Sequence, residues 1–343
     1  MKALLLEEYK QLKVQDVPEP EIAPKEVLIR VKSCGICGSD VHGFDGSSGR
    51  RIPPVIMGHE ASGVVARTGA QVSGFKEGDR VTFDSMISCE RCYFCRQGQP
   101  NLCDNRRVLG VSCTEYRRHG AFAEFVAVPD HIVVKIPDNL SFDEAAMVEP
   151  VSVAVHAVNI TPVKLGDTAV VVGAGMIGLL TLQALRTAGC GRIVSVDLED
   201  DRLALAKKLG ADQTINSRLA DVPALIREMT GGRGADVVME AVGAEATVQM
   251  AIDCVRKGGI VTLIGNITAK VSFPLQSVVT REVSVLGSCA SSNDYPACLE
   301  LMGRKAIRVA EMISATVPLE RGPEMFDRLY NREANLTKVI INP

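Results

Sequence analysis

From residue 167 to residue 289, short β-branched runs alternate with stretches of helical period, and this alternation restricts the fold more than any other feature of the chain. Strands are expected at "DTAVVVGAG" (167–175), "RIVSVD" (192–197), "QTIN" (213–216), "ADVVMEAVG" (235–243), "GIVTLIGN" (259–266) and "REVSVLGSC" (281–289). Between the first two lies "MIGLLTLQALRTAGC", and between the second and third "EDDRLALAKKLGA". Both carry apolar residues three and four apart, the spacing that lines one face of a helix. Six strands with helices between them predict an α/β, doubly wound parallel sheet.

The first 150 residues have another texture. Short alternating runs such as "EVLIRVKS", "SGVVARTG" and "DRVTF" are separated by closely spaced Gly and Pro, which predicts an antiparallel barrel or sandwich. The tail from about residue 287 holds one helical pattern, "YPACLELMGRKAI", and a strand-like "TKVIIN". It is too short for a domain of its own and is expected to return and complete the first. A length of 343 residues fits two such domains.

Charge narrows the partners. With 38 basic and 41 acidic residues, a formal charge of −3 and no run of five or six bases, neither nucleic acid nor an anionic membrane is expected to bind. The opening "MKALLLEEY" offers only four consecutive apolar residues, and nowhere do eighteen run together, so the expectation is a soluble, cytoplasmic chain. Eleven cysteines cannot all pair, and in a long cytosolic chain clustered thiols more often hold metal or do catalysis.

Four of them, Cys89, Cys92, Cys95 and Cys103, stand in "CERCYFCRQGQPNLC", close enough for one loop to wrap a zinc ion tetrahedrally. Four thiolates leave no open position, so such a zinc would be structural. Candidates for a working metal lie elsewhere: Cys37 in "CGICGSDVH", and His59 and Glu60 in "MGHEASG". His119, His131 and His156 read as structural, and the remaining cysteines as small buried or semi-buried residues. The pairs Arg50–Arg51 and Arg117–Arg118 read as solvated surface, although they are able to supply a phosphate cluster.

"GAGMIG" sets Gly173, Gly175 and Gly178 between an expected strand and helix, where backbone N–H groups can approach a pyrophosphate. Asp197, nineteen residues beyond Gly178, ends the second strand where an acid binds ribose hydroxyls and repels a 2′-phosphate. Glu199, Asp200 and Asp201 follow before the first base, Arg202, so the cofactor expected is NAD rather than NADP.

Assembled in order, "GICGSDVH", "GHEASGVV", "GFKEGDRV", the four-cysteine loop, "HGAFAEF", "VEPVSVAVHA", "GAGMIG" and "SVD" make the chain resemble the zinc-dependent medium-chain dehydrogenases of the alcohol dehydrogenase superfamily. The likeness spans nearly the full length and is greatest to the polyol (sorbitol and L-iditol) and threonine dehydrogenase branch. It implies a GroES-like, mainly β catalytic domain over 1–150 and 287–343, with a Rossmann NAD-binding domain over 151–286. It also implies two zinc ions per chain. The catalytic one would be held by Cys37 and His59, with Glu60 binding directly or through water and Glu149 of "VEP" near the metal.

By the same resemblance Asp40 steers a ligand, and Ser39 and His42 relay a proton. Arg202 contacts the adenosine ribose and Ile177 the cofactor in the glycine turn. Ile264, Gly265 and Asn266 form the turn beside the nicotinamide, with Leu286, Gly287 and Ser288 in the segment over the same ring. The implied reaction is hydride transfer between a secondary alcohol of a polyhydroxy compound and NAD, in a homotetramer or homodimer. Sorbitol dehydrogenases carry a Tyr just after the relay histidine, and here Gly43 stands there, so their polyol contacts do not transfer. L-Threonine 3-dehydrogenase and diol dehydrogenase are the near alternatives. From another class, a zinc-ribbon binding protein without catalysis would explain the cysteine loop alone.

Overall fold

The computed structural model describes residues 1–333 and 336–343. It divides into two units, one of residues 1–149, 295–304 and 309–343 and one of residues 150–294 and 305–308. Residues 334 and 335, in the tail expected to complete the first domain, lie outside the described residues.

The second unit is built on six parallel strands: Thr168–Val172, Arg192–Asp197, Gln213–Asn216, Ala235–Glu240, Val255–Leu263 and Ser284–Gly287. Their spatial order is third, second, first, fourth, fifth, sixth. The first strand, Thr168–Val172, is buried from Ala169 onward, as a parallel strand covered on both faces requires. Helices Met176–Thr187, Asp200–Lys208, Val222–Met229 and Glu245–Cys254 make crossovers. Because the first strand has the second on one side and the fourth on the other, its carboxyl end is the point where the winding reverses, and the glycine-rich turn sits there.

Several strands stop short of the expected bounds for a local reason. Gly173 (φ +97°) and Gly243 (φ +82°) turn the chain sharply just past the first and fourth strands, which removes the trailing glycines from the ladder. The fifth strand starts at Val255, four residues earlier than expected, and a register shift between Ala235 and Val237 absorbs the extra residues.

In the first unit, a seven-stranded sheet is centred on Glu26–Gly35. That strand pairs antiparallel with Glu60–Thr68 along its length, with Phe125–Pro129 near its start, and with the last strand, Lys338–Asn342, at its end. The tail thus completes the first unit, but the unit resumes at Tyr295 rather than at 287: Leu286 and Gly287 belong to the parallel ladder of the other. The tail also holds a second helix, Gly322–Tyr330, beyond the expected Tyr295–Gly303. Pro323 lies in its first turn, where the missing N–H costs nothing. Fully buried Phe326 meets Phe44 at 5.8 Å and Phe122 at 5.6 Å, so this short helix is part of the core. Among the described residues no helix is long and apolar enough to cross a membrane.

Candidate functional site

Cys37, His59 and Glu60 converge in the first unit, with one ligand atom from each lying within 4.8 Å of the others. Local structure explains how. Cys37 caps the helix Gly38–Phe44: its Sγ accepts from the Ser39 N–H at 3.4 Å, and its own N–H donates to Asp40 Oδ2 at 3.4 Å. Gly58 (φ +91°) turns the chain ahead of His59, and a Cβ there would press on Phe122 at 2.8 Å and Cys34 at 2.9 Å. Glu60 opens the next strand directly opposite Gly35, where any Cβ would collide with the Glu60 carboxylate.

Two residues that sequence reasoning did not place at the site hold its carboxylates. Lys338, only 3% exposed, donates from Nζ to Glu60 Oε2 at 2.6 Å and to the Ile36 carbonyl at 3.0 Å. Burial pulls the Lys338 pKa down, but Glu60 and Cys37 outweigh it and the net shift is upward. Arg51 is buried too, against expectation, with Nη2 3.1 Å from Asp40 Oδ1. A lysine in a strand-like tail and one of two adjacent arginines give no sequence signal beyond their charge.

Asp40 is fully buried, which raises its pKa, yet His59 and Arg51 reverse the effect and hold it at about 2. Its other oxygen lies 3.4 Å from His59 Nδ1, near enough for charge to act though not aligned as a hydrogen bond. That leaves Nε2 of His59 for a cation, the usual division of labour in a ligating histidine. Ser39 is exposed, its Oγ 3.4 Å from Cys37 Sγ, and His42 is exposed one turn further along the helix. Glu149, in the first turn of helix Val148–Asn159, is not within the three-residue cluster; its Oε1 accepts from Ser85 Oγ at 3.4 Å. Burial raises its pKa to about 7, with Glu60 adding to the effect and His59 and Lys338 opposing it.

The four-cysteine loop forms its own cluster, with all Sγ atoms within 4.8 Å. Burial pushes the Cys103 thiol up to about 12 in the bare protein, and main-chain N–H groups of Cys89 and Asn105, which donate to its Sγ at 3.3 Å, oppose that shift. Donor type and spacing fit a closed tetrahedral zinc here, while thiolate, imidazole and carboxylate fit an open one at Cys37, His59 and Glu60.

In the second unit Gly173 and Gly178 pack so tightly that a Cβ on Gly178 would collide with the Gly173 carbonyl. Gly175 caps the helix that carries Ile177 and Gly178 with no side-chain acceptor for its first N–H groups, and such free donors suit a pyrophosphate. Asp197 braces the turn: Oδ2 accepts from the Ala174 N–H at 2.6 Å and Oδ1 from Leu198 and Glu199 at 2.8 and 3.1 Å. Arg202 stands 3.9 Å from Asp197 Oδ2, and Arg218, absent from the expected site, pairs with Glu199 at 2.6 Å.

Ile264, Gly265 and Asn266 follow the fifth strand and pack backbone to backbone on Gly243, where a Cβ would strike Asn266. Buried Glu240 ties that turn by accepting from the Val242 and Gly243 N–H groups at 2.9 and 2.8 Å, another residue the sequence did not single out. Leu286, Gly287 and Ser288 lie beside them, with the Ser288 N–H on the Leu263 carbonyl at 2.9 Å.

Fold, metal-ligating cluster and glycine turn together define a zinc-binding, two-domain dehydrogenase. The alcohol dehydrogenase GroES-like domain family matches residues 23–138 and the zinc-binding dehydrogenase family residues 177–304. Sorbitol dehydrogenase of Bacillus subtilis (strain 168) is 34% identical over 100% of this chain and 97% of its own. L-Idonate 5-dehydrogenase of Vitis vinifera is 37% identical over 97% and 92%. A zinc-binding dehydrogenase of Sinorhizobium meliloti 1021, solved bound to NADP, superposes with a TM-score of 0.92 at 34% identity, covering 100% of this chain and 99% of that one. The chain belongs to the zinc-binding alcohol dehydrogenase family and is an oxidoreductase acting on CH–OH groups.

Two outcomes follow from the buried charges. Lys338→Met strands the Glu60 carboxylate and is expected to cost about 3 kcal/mol in denaturant unfolding, most of it regained in Lys338→Met/Glu60→Gln. For Glu149 the folded pKa of about 7 lies above the ordinary 4.5, so between these values the folded, metal-free protein binds more protons than the unfolded chain. Its stability therefore falls as pH rises through that window, by roughly 3 kcal/mol. Melting of chelator-treated protein against pH should show a shallower decline in Glu149→Gln.

Proposed function

We propose that this protein uses NAD to interconvert a secondary alcohol of a polyol, or of a related polyhydroxy compound, and its ketone at a zinc centre held by Cys37, His59 and Glu60. One observation carries the reading: these three unlike donors lie within 4.8 Å, and the third is also engaged by Lys338. Three protein ligands leave a coordination position for a substrate oxygen, which the four-cysteine loop does not. When bound, zinc acidifies the hydroxyl it meets and the nicotinamide accepts hydride.

The chain's own residues do the rest. Cys37 and His59 are the constant ligands, Glu60 and Glu149 the carboxylates that bind directly or through water, and Asp40 orients His59. Ser39 takes the alcohol proton and His42 passes it on. Cys89, Cys92, Cys95 and Cys103 hold a second, structural zinc that fixes their loop. In the second unit Gly173, Gly175, Ile177 and Gly178 bind the pyrophosphate turn, Asp197 and Arg202 the adenosine ribose. Ile264 to Asn266 and Leu286 to Ser288 border the nicotinamide.

Polyhydroxy substrates are favoured because the relatives named above act on sorbitol and L-idonate. NAD is favoured because Asp197 and Glu199 would oppose a 2′-phosphate, although the Sinorhizobium meliloti neighbour was solved with NADP. Among the described residues the sixth strand pairs with the fifth alone, and this edge supports pairing in a homodimer or homotetramer. A chain with eleven cysteines, four of them clustered as for a metal, suits a cytoplasmic setting.

A screen of NAD reduction over polyols, polyol phosphates, aldonates, diols and threonine should find turnover among the polyhydroxy compounds, and metal analysis two zinc ions per chain. Cys37→Ser should lose one zinc and at least 100-fold in kcat with its fold intact; wild-type turnover by this variant would refute the zinc mechanism. NAD should exceed NADP in kcat/KM by roughly tenfold or more, and Asp197→Ala should narrow the gap.

A further inference from the structure

Arg51 does not follow its neighbour Arg50 into solvent: Arg50 is exposed, whereas Arg51 is 4% exposed. Its stem occupies the space over Gly43, where any Cβ would collide with Arg51 Cγ and stand 2.9 Å from its Cβ. The position that carries a tyrosine in the sorbitol branch is therefore filled here by an arginine from elsewhere in the chain. The guanidinium then spreads over the start of helix Gly38–Phe44. Nε and Nη2 reach Asp40 Oδ1 at 3.3 and 3.1 Å, Nη2 donates to Ser39 Oγ at 3.4 Å, and Nη1 donates to the Arg50 carbonyl at 3.1 Å.

Burying an arginine is costly unless its charge and N–H groups are matched, and here they are matched by residues that touch the metal-ligating cluster. Asp40 faces His59 Nδ1 with one oxygen and Arg51 with the other, while Ser39 touches both Arg51 and Cys37 Sγ. A histidine that binds metal through its second nitrogen is neutral. Among the described residues Arg51 is then the one charged side chain paired with the buried Asp40. Because Asp40 takes up its charge, Arg51 is a brace rather than a receptor for an anionic substrate.

We propose that Arg51 is a positioning residue of the zinc centre: it fixes Asp40 and Ser39, and through them the presentation of His59 and Cys37, in a space that only glycine at position 43 leaves open. This rests on the reading of Cys37, His59 and Glu60 as a zinc site.

The test follows zinc release from the metal-loaded full chain into a chelator, with the four-cysteine zinc as internal reference, alongside the visible spectrum of the cobalt-substituted protein. Arg51→Met keeps the stem and removes the fork. It should release the Cys37–His59 zinc ten- to hundredfold faster, leave the four-cysteine zinc unchanged, and shift the cobalt bands of the open site. Arg51→Lys keeps the charge but cannot bridge Asp40 and Ser39 together, so its release should still be faster than wild type. Gly43→Ala should disturb the open site in the wild-type background and add nothing to Arg51→Ala. Release at the wild-type rate in Arg51→Met, or in Arg51→Lys should the methionine variant fail to fold, overturns the proposal, as does equal acceleration of both zincs. A wild-type protein with one zinc overturns the underlying reading instead, whatever Arg51 does.

Discussion

The ion pair between Lys338 and Glu60 joins residues 278 apart in a part of the first unit that water hardly reaches. An isolated charge there is costly, so each member makes the other's place obligatory. Lys338 opens the last strand, Glu60 opens the strand Glu60–Thr68, and Glu26–Gly35 runs between and pairs with both. A one-residue slip of the last strand would turn the lysine to the opposite face and leave the carboxylate alone. The pairing that closes the sheet and the placing of a candidate zinc ligand are thus one event. This also explains how a tail too short for a domain contributes to the site: its buried lysine has only one place where its charge is met.

How much of this the sequence disclosed depended on the range of the interaction. The parallel sheet of the second unit was legible because each strand and helix declares itself within a dozen residues, and "GAGMIG" is self-contained. The four-cysteine loop was legible for the same reason. Cys37, His59 and Glu60 came into view through the family resemblance, since a lone cysteine and "GHE" carry little by themselves. Lys338 and Glu240 did not come into view at all, and Arg51 did so only as one of a pair expected in solvent: a buried charge looks like a surface charge until its partner is located. Helix Gly322–Tyr330 escaped because two and a half turns give too few apolar positions to establish a period, and its identity depends on Phe326 reaching Phe44 and Phe122. The boundary at Tyr295 rather than 287 depended on strand pairing, which extends a ladder beyond the point where composition changes.

The second unit uses glycine where the first uses charge. Gly173 with Gly178, and Gly243 with Gly265, bring main chain against main chain at the carboxyl edge of the parallel sheet. Bare backbone at such an edge presents N–H groups without side chains in front of them, which is the condition for gripping a pyrophosphate closely. Asp197 and Glu240 complete the arrangement by accepting neighbouring N–H groups, so the turns are held by carboxylates rather than by bulk.

Charge balance at the candidate zinc centre gives the strongest physical reason to expect a dication. Asp40 is matched by Arg51 and Glu60 by Lys338, each at hydrogen-bonding distance. Two further acidic groups belong to this unit: the Cys37 thiol, which must ionise to bind metal, and Glu149, whose carboxyl in the bare protein holds its proton up to about pH 7. A doubly charged cation beside both would let both ionise, and the pairing of the other two acids keeps the ligand field from becoming more anionic than that cation can neutralise. Arg51 and Lys338 therefore do more than offset two buried acids. They hold Asp40 and Glu60 ionised and in place without taking a coordination position themselves, since neither a guanidinium nor an ammonium group has a lone pair to offer a metal.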